Sequence, residues 1–243
     1  MLKQGADMVV IARRFCGPPD TGNGGYSAGL VAQSLSGAVE VTLRKPPPLA
    51  RELTLHHHGD RAELLADAEL VAEARQSALE LVVPSAPTFE QAVELSKRYV
   101  GYEQHHFPTC FVCGPARAVG DGLRIFPASN ALGEPCAAPW LPPNDLTNGS
   151  GHVRHEVMWA ALDCVGYFGV AAPDYPVALL GRITAEVIGH VRAGERCVVL
   201  GWSLGREGRK LQAGTAVFGG DGELKARARQ TWITLPPASP RSA

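Results

Sequence analysis

Apolar positions along this chain follow two rhythms, and the rhythms alternate twice. Over Tyr26–Leu35 (YSAGLVAQSL), Tyr26, Leu30 and Val31 recur at helical spacing, which predicts a helix. It is entered through the glycine-rich turn Thr21–Gly25, with Asn23 placed as its N-cap. The period then falls to two. Val39, Val41 and Leu43 alternate with Glu40 and Thr42, Leu53 and Leu55 alternate with Thr54 and His56, and Ala68–Leu79 reads as a last long strand. The same order returns later. His155–Phe168 (HEVMWAALDCVGYF) is apolar nearly all round and predicts a helix buried on most sides. Ile183–Val187, Cys197–Trp202, Leu211–Phe218 and Glu223–Leu235 follow as strands, with turns at Gly205–Gly208 and Gly219–Gly222.

The recurrence extends to identities. Residues 67–79 (DAELVAEARQSAL) and 221–233 (DGELKARARQTWI) match at a constant offset: Asp67, Glu69, Leu70, Ala72, Ala74, Arg75 and Gln76 meet Asp221, Glu223, Leu224, Ala226, Ala228, Arg229 and Gln230. One α+β unit, a buried helix followed by an antiparallel meander, is thus written twice. A lone copy leaves an edge strand open, and pairing two copies closes it. The expected organisation is an N-terminal unit over 1–83, a Pro/Gly-rich linker over 84–119, and a C-terminal unit over 120–243. The linker carries one helix, Phe89–Tyr99, with Thr88 and Gln91 placed for a capping box. Leu123 and Ile125 are expected to open the first strand of the second unit, and the tail after Leu235 to be disordered.

Composition narrows the partners. The 243 residues are 45% hydrophobic and 19% charged with a formal net charge of −1, which gives no electrostatic reason to expect nucleic acid or an anionic membrane. The apolar run Met8–Ala12 is too short for a secretory signal, and no run is long enough to span a bilayer, so a cytoplasmic location is the expectation. The six cysteines are then expected as free, buried thiols. G-x-G-x-x-G does not occur, which removes the common dinucleotide reading. The two G-x-S-x-G matches, 25–29 and 201–205, are not read as a nucleophile elbow, because Ser27 falls inside the expected helix and Ser203 lies between two expected strands rather than at a strand-to-helix turn. Cys110 and Cys113 form a lone C-x-x-C. Zinc would need His105 and His106 or distant residues beside it, a redox role would need a βαβ unit, and packing without metal is the expectation. His56, His57 and His58 read as a solvated strand end.

Three stretches together resemble the hotdog-fold thioesterase superfamily, in particular its fused double-hotdog members. Asn23-Gly24-Gly25-Tyr26 resembles the His-Gly-Gly entry to the central helix, with Asn23 where the histidine is expected. Trp159-Ala160-Ala161-Leu162-Asp163 resembles the acid-bearing segment of that helix, and Asp221–Trp232 the closing hairpin. The resemblance implies an α+β double hotdog: two antiparallel sheets, each wrapped round a long central helix, paired as a pseudo-dimer. It also implies that N–H groups at one helix tip hold a thioester carbonyl while an acid on the partner helix acts as general base or nucleophile. Each half keeps one component. The first has the Gly-Gly entry but Ala32-Gln33 at the acid position, and the second has Asp163 but enters through Arg154-His155-Glu156. One composite site is therefore expected, with Gly24, Gly25 and Tyr26 facing Asp163. Asn23, Trp159 and Leu162 are expected against the substrate, and Arg206, Arg209 and Lys210 on a coenzyme A phosphate. The expected ligand is a small-molecule acyl thioester with no separate cofactor, and a homo-oligomer of double-hotdog chains is compatible with it. The alternatives are a non-catalytic acyl-thioester-binding or assembly protein and, with less support, an enoyl-thioester hydratase, whose paired acid and histidine the sequence does not offer.

Overall fold

Both helix-then-meander units appear in the computed structural model, which describes residues 4–236. The first comprises β1 (Gln4–Val10), α1 (Gly24–Ala32), β2 (Val39–Leu43), β3 (Glu52–His58), β4 (Arg61–Ala66) and β5 (Glu69–Gln76). After α2 (Phe89–Ser96) comes the second: β6 (Cys136–Trp140), α3 (His155–Ala171), β7 (Ala178–Val187), β8 (Cys197–Glu207), β9 (Lys210–Phe218) and β10 (Leu224–Thr234). The ten strands of the described residues lie in one sheet, ordered β1-β3-β4-β5-β2-β7-β10-β9-β8-β6, with every neighbouring pair antiparallel. Read outward from its centre, each five-strand half has the same connectivity. The two sheets expected from the sequence are thus one continuous sheet, joined where β2 meets β7.

That junction is symmetric in register. Val39 pairs with Ala185, Val41 with Ile183, and Glu40 with Thr184 between them. The duplicated hairpins also share an irregularity. Leu70 pairs with Leu65 while Ala72 pairs with Leu64, and Leu224 pairs with Phe218 while Ala226 pairs with Val217. One residue bulges out at the same place in each copy, Val71 in one and Lys225 in the other, so the repeat seen in sequence is a repeat of backbone geometry.

The helices pack on one another inside the curved sheet. α3 buries fifteen of its seventeen residues, as an all-apolar helix must. Each large apolar side chain so buried contributes about 1.5–3 kcal/mol. α1 is shorter and starts earlier than expected, because the Asn23 carboxamide oxygen accepts the Tyr26 N–H at 2.9 Å and begins the helix at Gly24. α2 carries the expected capping box, with Thr88 and Gln91 bonded reciprocally, and packs across β6 and β8.

Several expectations shift. β1 and β4 had no strand assigned in the sequence. Leu123 and Ile125 open no strand: their N–H groups bond the carbonyls of Phe111 and Val112, and the second unit's first strand is β6. Gly205 is not in a turn but in β8, at a bulge where its φ is +126°. His57 is buried, its ring 2.8 Å from Ser34 Oγ and 2.9 Å from Asp7, whereas His56 and His58 stack on each other. Of the expected disordered tail, residues 237–243 lie outside the described residues. No helix among the described residues is long and apolar enough to cross a membrane.

Candidate active site

α1 begins level with the middle of α3, and the contact leaves no room for side chains. A Cβ on Gly25 would stand 2.6 Å from Asp163 Cβ and 2.6 Å from the Trp159 carbonyl oxygen, and one on Gly29 would stand 2.6 Å from Glu156 Cα. Glycine at 25 is therefore required by the close approach of α3 and not by a positive φ. The approach brings the amide-rich tip of α1 against Asp163. Asp163 is 2% exposed, and its Oδ2 accepts Asn23 Nδ2–H at 2.7 Å and Gly25 N–H at 2.9 Å. Its Oδ1 has no partner. Burial pushes the carboxyl up to about 7, with the Gly25 N–H opposing.

Three N–H groups were expected to face a substrate, and two of them are engaged. The Gly25 N–H serves Asp163 and the Tyr26 N–H serves Asn23. Gly24 N–H has no hydrogen bond among the described residues. Tyr26 turns away, stacking on Phe15 with ring centres 4.0 Å apart and meeting Phe111 edge-on. Burial raises its phenol to about 12.

A cavity of about 410 Å³ opens at this tip, within the range for small-molecule sites. Asn23, Gly24 and Asp163 form its polar end, and Phe107, Tyr167, Phe168, Leu180 and Trp232 are among its apolar walls. Trp159 and Leu162 do not line it. Trp159 packs against Gly29 on the α1 side, and Leu162 is fully buried, with its carbonyl accepting Gln230 Nε2–H from β10 at 2.6 Å. The residues of α3 that do line it, Cys164, Tyr167 and Phe168, lie beyond Asp163, where α1 no longer covers the helix. The expected basic group is also outside. Arg206 bonds the Ala171 carbonyl and pairs with Asp174, Arg209 bonds the Thr234 carbonyl, and Lys210 is exposed. The cations that line the cavity are Arg44 and Lys45, which also pair with Glu73 and Glu69.

The linker supplies a wall that the sequence reading left out. Cys110 and Cys113 come to rest beside Cys164, the residue after Asp163, with the three Sγ atoms all within 4.8 Å of one another. Hydrogen bonds from its two neighbours hold the Cys110 thiol well below the ordinary thiol range, while burial raises Cys113 and its bond to Cys110 raises Cys164. A C-x-x-C followed by glycine, with a further cysteine adjoining the candidate acid, was the available signal.

No family model matches the chain, and no curated protein matches it in sequence. Solved structures do match over nearly the whole length. The tesB protein of Mycobacterium avium subspecies paratuberculosis aligns with a TM-score of 0.63 at 12% identity, over 97% of this chain and 95% of its own. A hot dog fold protein from Alicyclobacillus acidocaldarius aligns at 0.62 and 12%, over 96% and 94%. Acyl-CoA thioesterase II TesB2 from Mycobacterium marinum aligns at 0.63 and 11%, over 98% and 96%. The chain has the hotdog fold. At these identities the likeness speaks for the fold, and the chemistry has to be argued from the site.

Proposed function

We propose that this protein hydrolyses an acyl thioester, with coenzyme A as the thiol carrier, in one composite site between the tip of α1 and Asp163 of α3. The observation that carries this reading is the division of labour at Asp163. One carboxylate oxygen is fixed by two donors from the other unit, and the second is unpartnered and buried at the cavity's polar end. A water placed between Oδ1 and the thioester carbonyl gives up a proton to Asp163 as its oxygen bonds the carbonyl carbon. The charge that develops on the carbonyl oxygen falls near the free Gly24 N–H and the positive end of α1. Collapse of the tetrahedral intermediate breaks the C–S bond, and the departing thiolate recovers the proton from Asp163. The acyl group lies along Tyr167, Phe168 and Trp232, and the carrier leaves past Arg44 and Lys45. The Mycobacterium marinum neighbour, an acyl-CoA thioesterase II by name, agrees with this substrate class.

Free-thiol release over a panel of acyl-CoA esters tests the proposal. Turnover is expected for at least one ester, and Asp163→Asn is expected to lower kcat by about 10²–10⁴-fold. A variant that matches the wild type removes Asp163 from the mechanism. One observation favours a second reading, a non-catalytic acyl-thioester binder: two of the three N–H groups at the tip of α1 are already engaged. Saturable binding of an acyl-CoA without any thiol release would establish that reading instead.

A further inference from the structure

The Cys110, Cys113 and Cys164 thiols belong to segments far apart in sequence, yet they converge on one point of the cavity wall. Cys16 and Cys136 instead each bond a backbone carbonyl: Cys16 donates to Thr109 at 3.2 Å and Cys136 to Val165 at 3.5 Å. Within the cluster, Cys110 Sγ and Cys164 Sγ are 3.6 Å apart. Zinc–sulfur bonds of about 2.3 Å in a tetrahedron place neighbouring sulfurs about 3.8 Å apart. The C-x-x-C spacing is that of zinc ligands, and a tight turn aims both thiols the same way. Gly114 N–H bonds the Cys110 carbonyl at 2.9 Å, and a Cβ on Gly114 would stand 2.5 Å from that oxygen.

We propose that Cys110, Cys113 and Cys164 bind one Zn²⁺ as thiolates, leaving the fourth position open to the cavity beside Asp163. His105 is placed outside this set. Its Nδ1 accepts the Phe107 N–H at 2.9 Å, so the ring proton sits on Nε2, which lies 3.3 Å from Cys113 Sγ and donates to it. A ring held in that tautomer has no lone pair at Nε2 for a metal. It acts instead as the outer hydrogen-bond donor that steadies a ligand. Asn23 Nδ2 stands 3.9 Å from Cys110 Sγ, a second donor towards the sulfurs. Binding displaces the thiol protons and fastens the linker to α3 next to the candidate acid. The site does not depend on which reaction the cavity serves, because its test reads metal and not turnover.

The experiment is metal analysis of the full chain purified without chelator, followed by Co²⁺ titration of chelator-treated protein. About one zinc per chain is expected, with sulfur-to-cobalt charge-transfer bands and the intense visible bands of tetrahedral Co²⁺. Cys164→Ser is expected to lose most of the zinc and those bands, and Cys136→Ser to keep both. His105→Ala is expected to keep one metal per chain with affinity lower by about 10–100-fold. Wild-type protein with neither zinc nor the cobalt bands overturns the proposal without recourse to any variant. Full binding by Cys164→Ser overturns the ligand set, and loss of stoichiometric binding in His105→Ala overturns the open fourth position.

Discussion

Asp163 occupies a place that folding alone does not favour. Its carboxyl is removed from water, one oxygen has no partner, and burial raises it to about 7. An amide of the same shape can accept from both Asn23 and Gly25 with its single oxygen, without the desolvation penalty of a charge. Asp163→Asn is therefore expected to be more stable than the wild type above neutral pH, by about 1–3 kcal/mol, which for a chain of this length shifts Tm by about 2–4 °C per kcal/mol. Thermal denaturation at pH 8 checks this. A variant that melts lower than the wild type would make the carboxylate a structural anchor. This residue and its glycine partners were legible in the sequence because the segments carrying them lie at recognisable places in a duplicated unit. The walls were not. Whether Trp159 or Tyr167 meets the cavity depends on how α3 is rotated about its axis, and that is set by Gly25 and Gly29, which draw α1 onto the Trp159–Asp163 face.

At the scale of elements, the α1–α3 contact is the feature most exposed to substitution. Gly25→Ala or Gly29→Ala must push backbone away from backbone, since the nearest atoms include the Trp159 carbonyl oxygen and Glu156 Cα. A loss of about 1–3 kcal/mol is expected for each, with the Gly25 change also displacing the N–H that holds Asp163. Urea denaturation of each variant measures the cost, and wild-type midpoints would mean the helices separate freely. The first turn of α3 offers a pH-dependent prediction. His155 Nε2 is buried without a partner, and burial holds the ring below its ordinary 6.5, with Glu156 opposing. The unfolded chain binds this proton more readily, so stability present above pH 6.5 is lost as pH falls through the folded value. His155→Gln is expected to lose less stability than the wild type between pH 7 and about pH 5, read from denaturation midpoints at each pH; parallel curves would exclude the histidine. The strands most easily found in the sequence were those with strong alternation. β4 escaped because its buried face is Ala62, Leu64 and Ala66, a weak apolar signal, and β1 because Met8 and Val10 are exposed on an edge strand.

Duplication gives the whole molecule two pseudo-equivalent helix crossings, and the copies have diverged so that the cavity described above lies at only one of them. Asp163 stands eight residues after the start of α3, the position held by Ala32 in α1. α3 then continues to Ala171, and that continuation carries Cys164, Tyr167 and Phe168 into the cavity wall, whereas α1 stops at Ala32. At the opposite crossing α3 is preceded by Arg154, which gives no side-chain cap and whose guanidinium bonds Glu156 at 2.7 Å. Neither the acid nor the extended wall is available there. A non-hydrolysable acyl-CoA thioether titrated calorimetrically into the wild type is therefore expected to bind once per chain; two equivalents would show that the second crossing also works. Moving the acid tests the same asymmetry from the other side. Ala32 is fully buried, so Ala32→Asp places a carboxylate among apolar neighbours at a cost of several kcal/mol. In an Asp163→Asn background it should restore no thiol release, since α1 has no helical continuation to wall a substrate. Recovered turnover in that double variant would mean that the acid alone had been lost from the first copy, and that the length of α3 does not decide where the site lies.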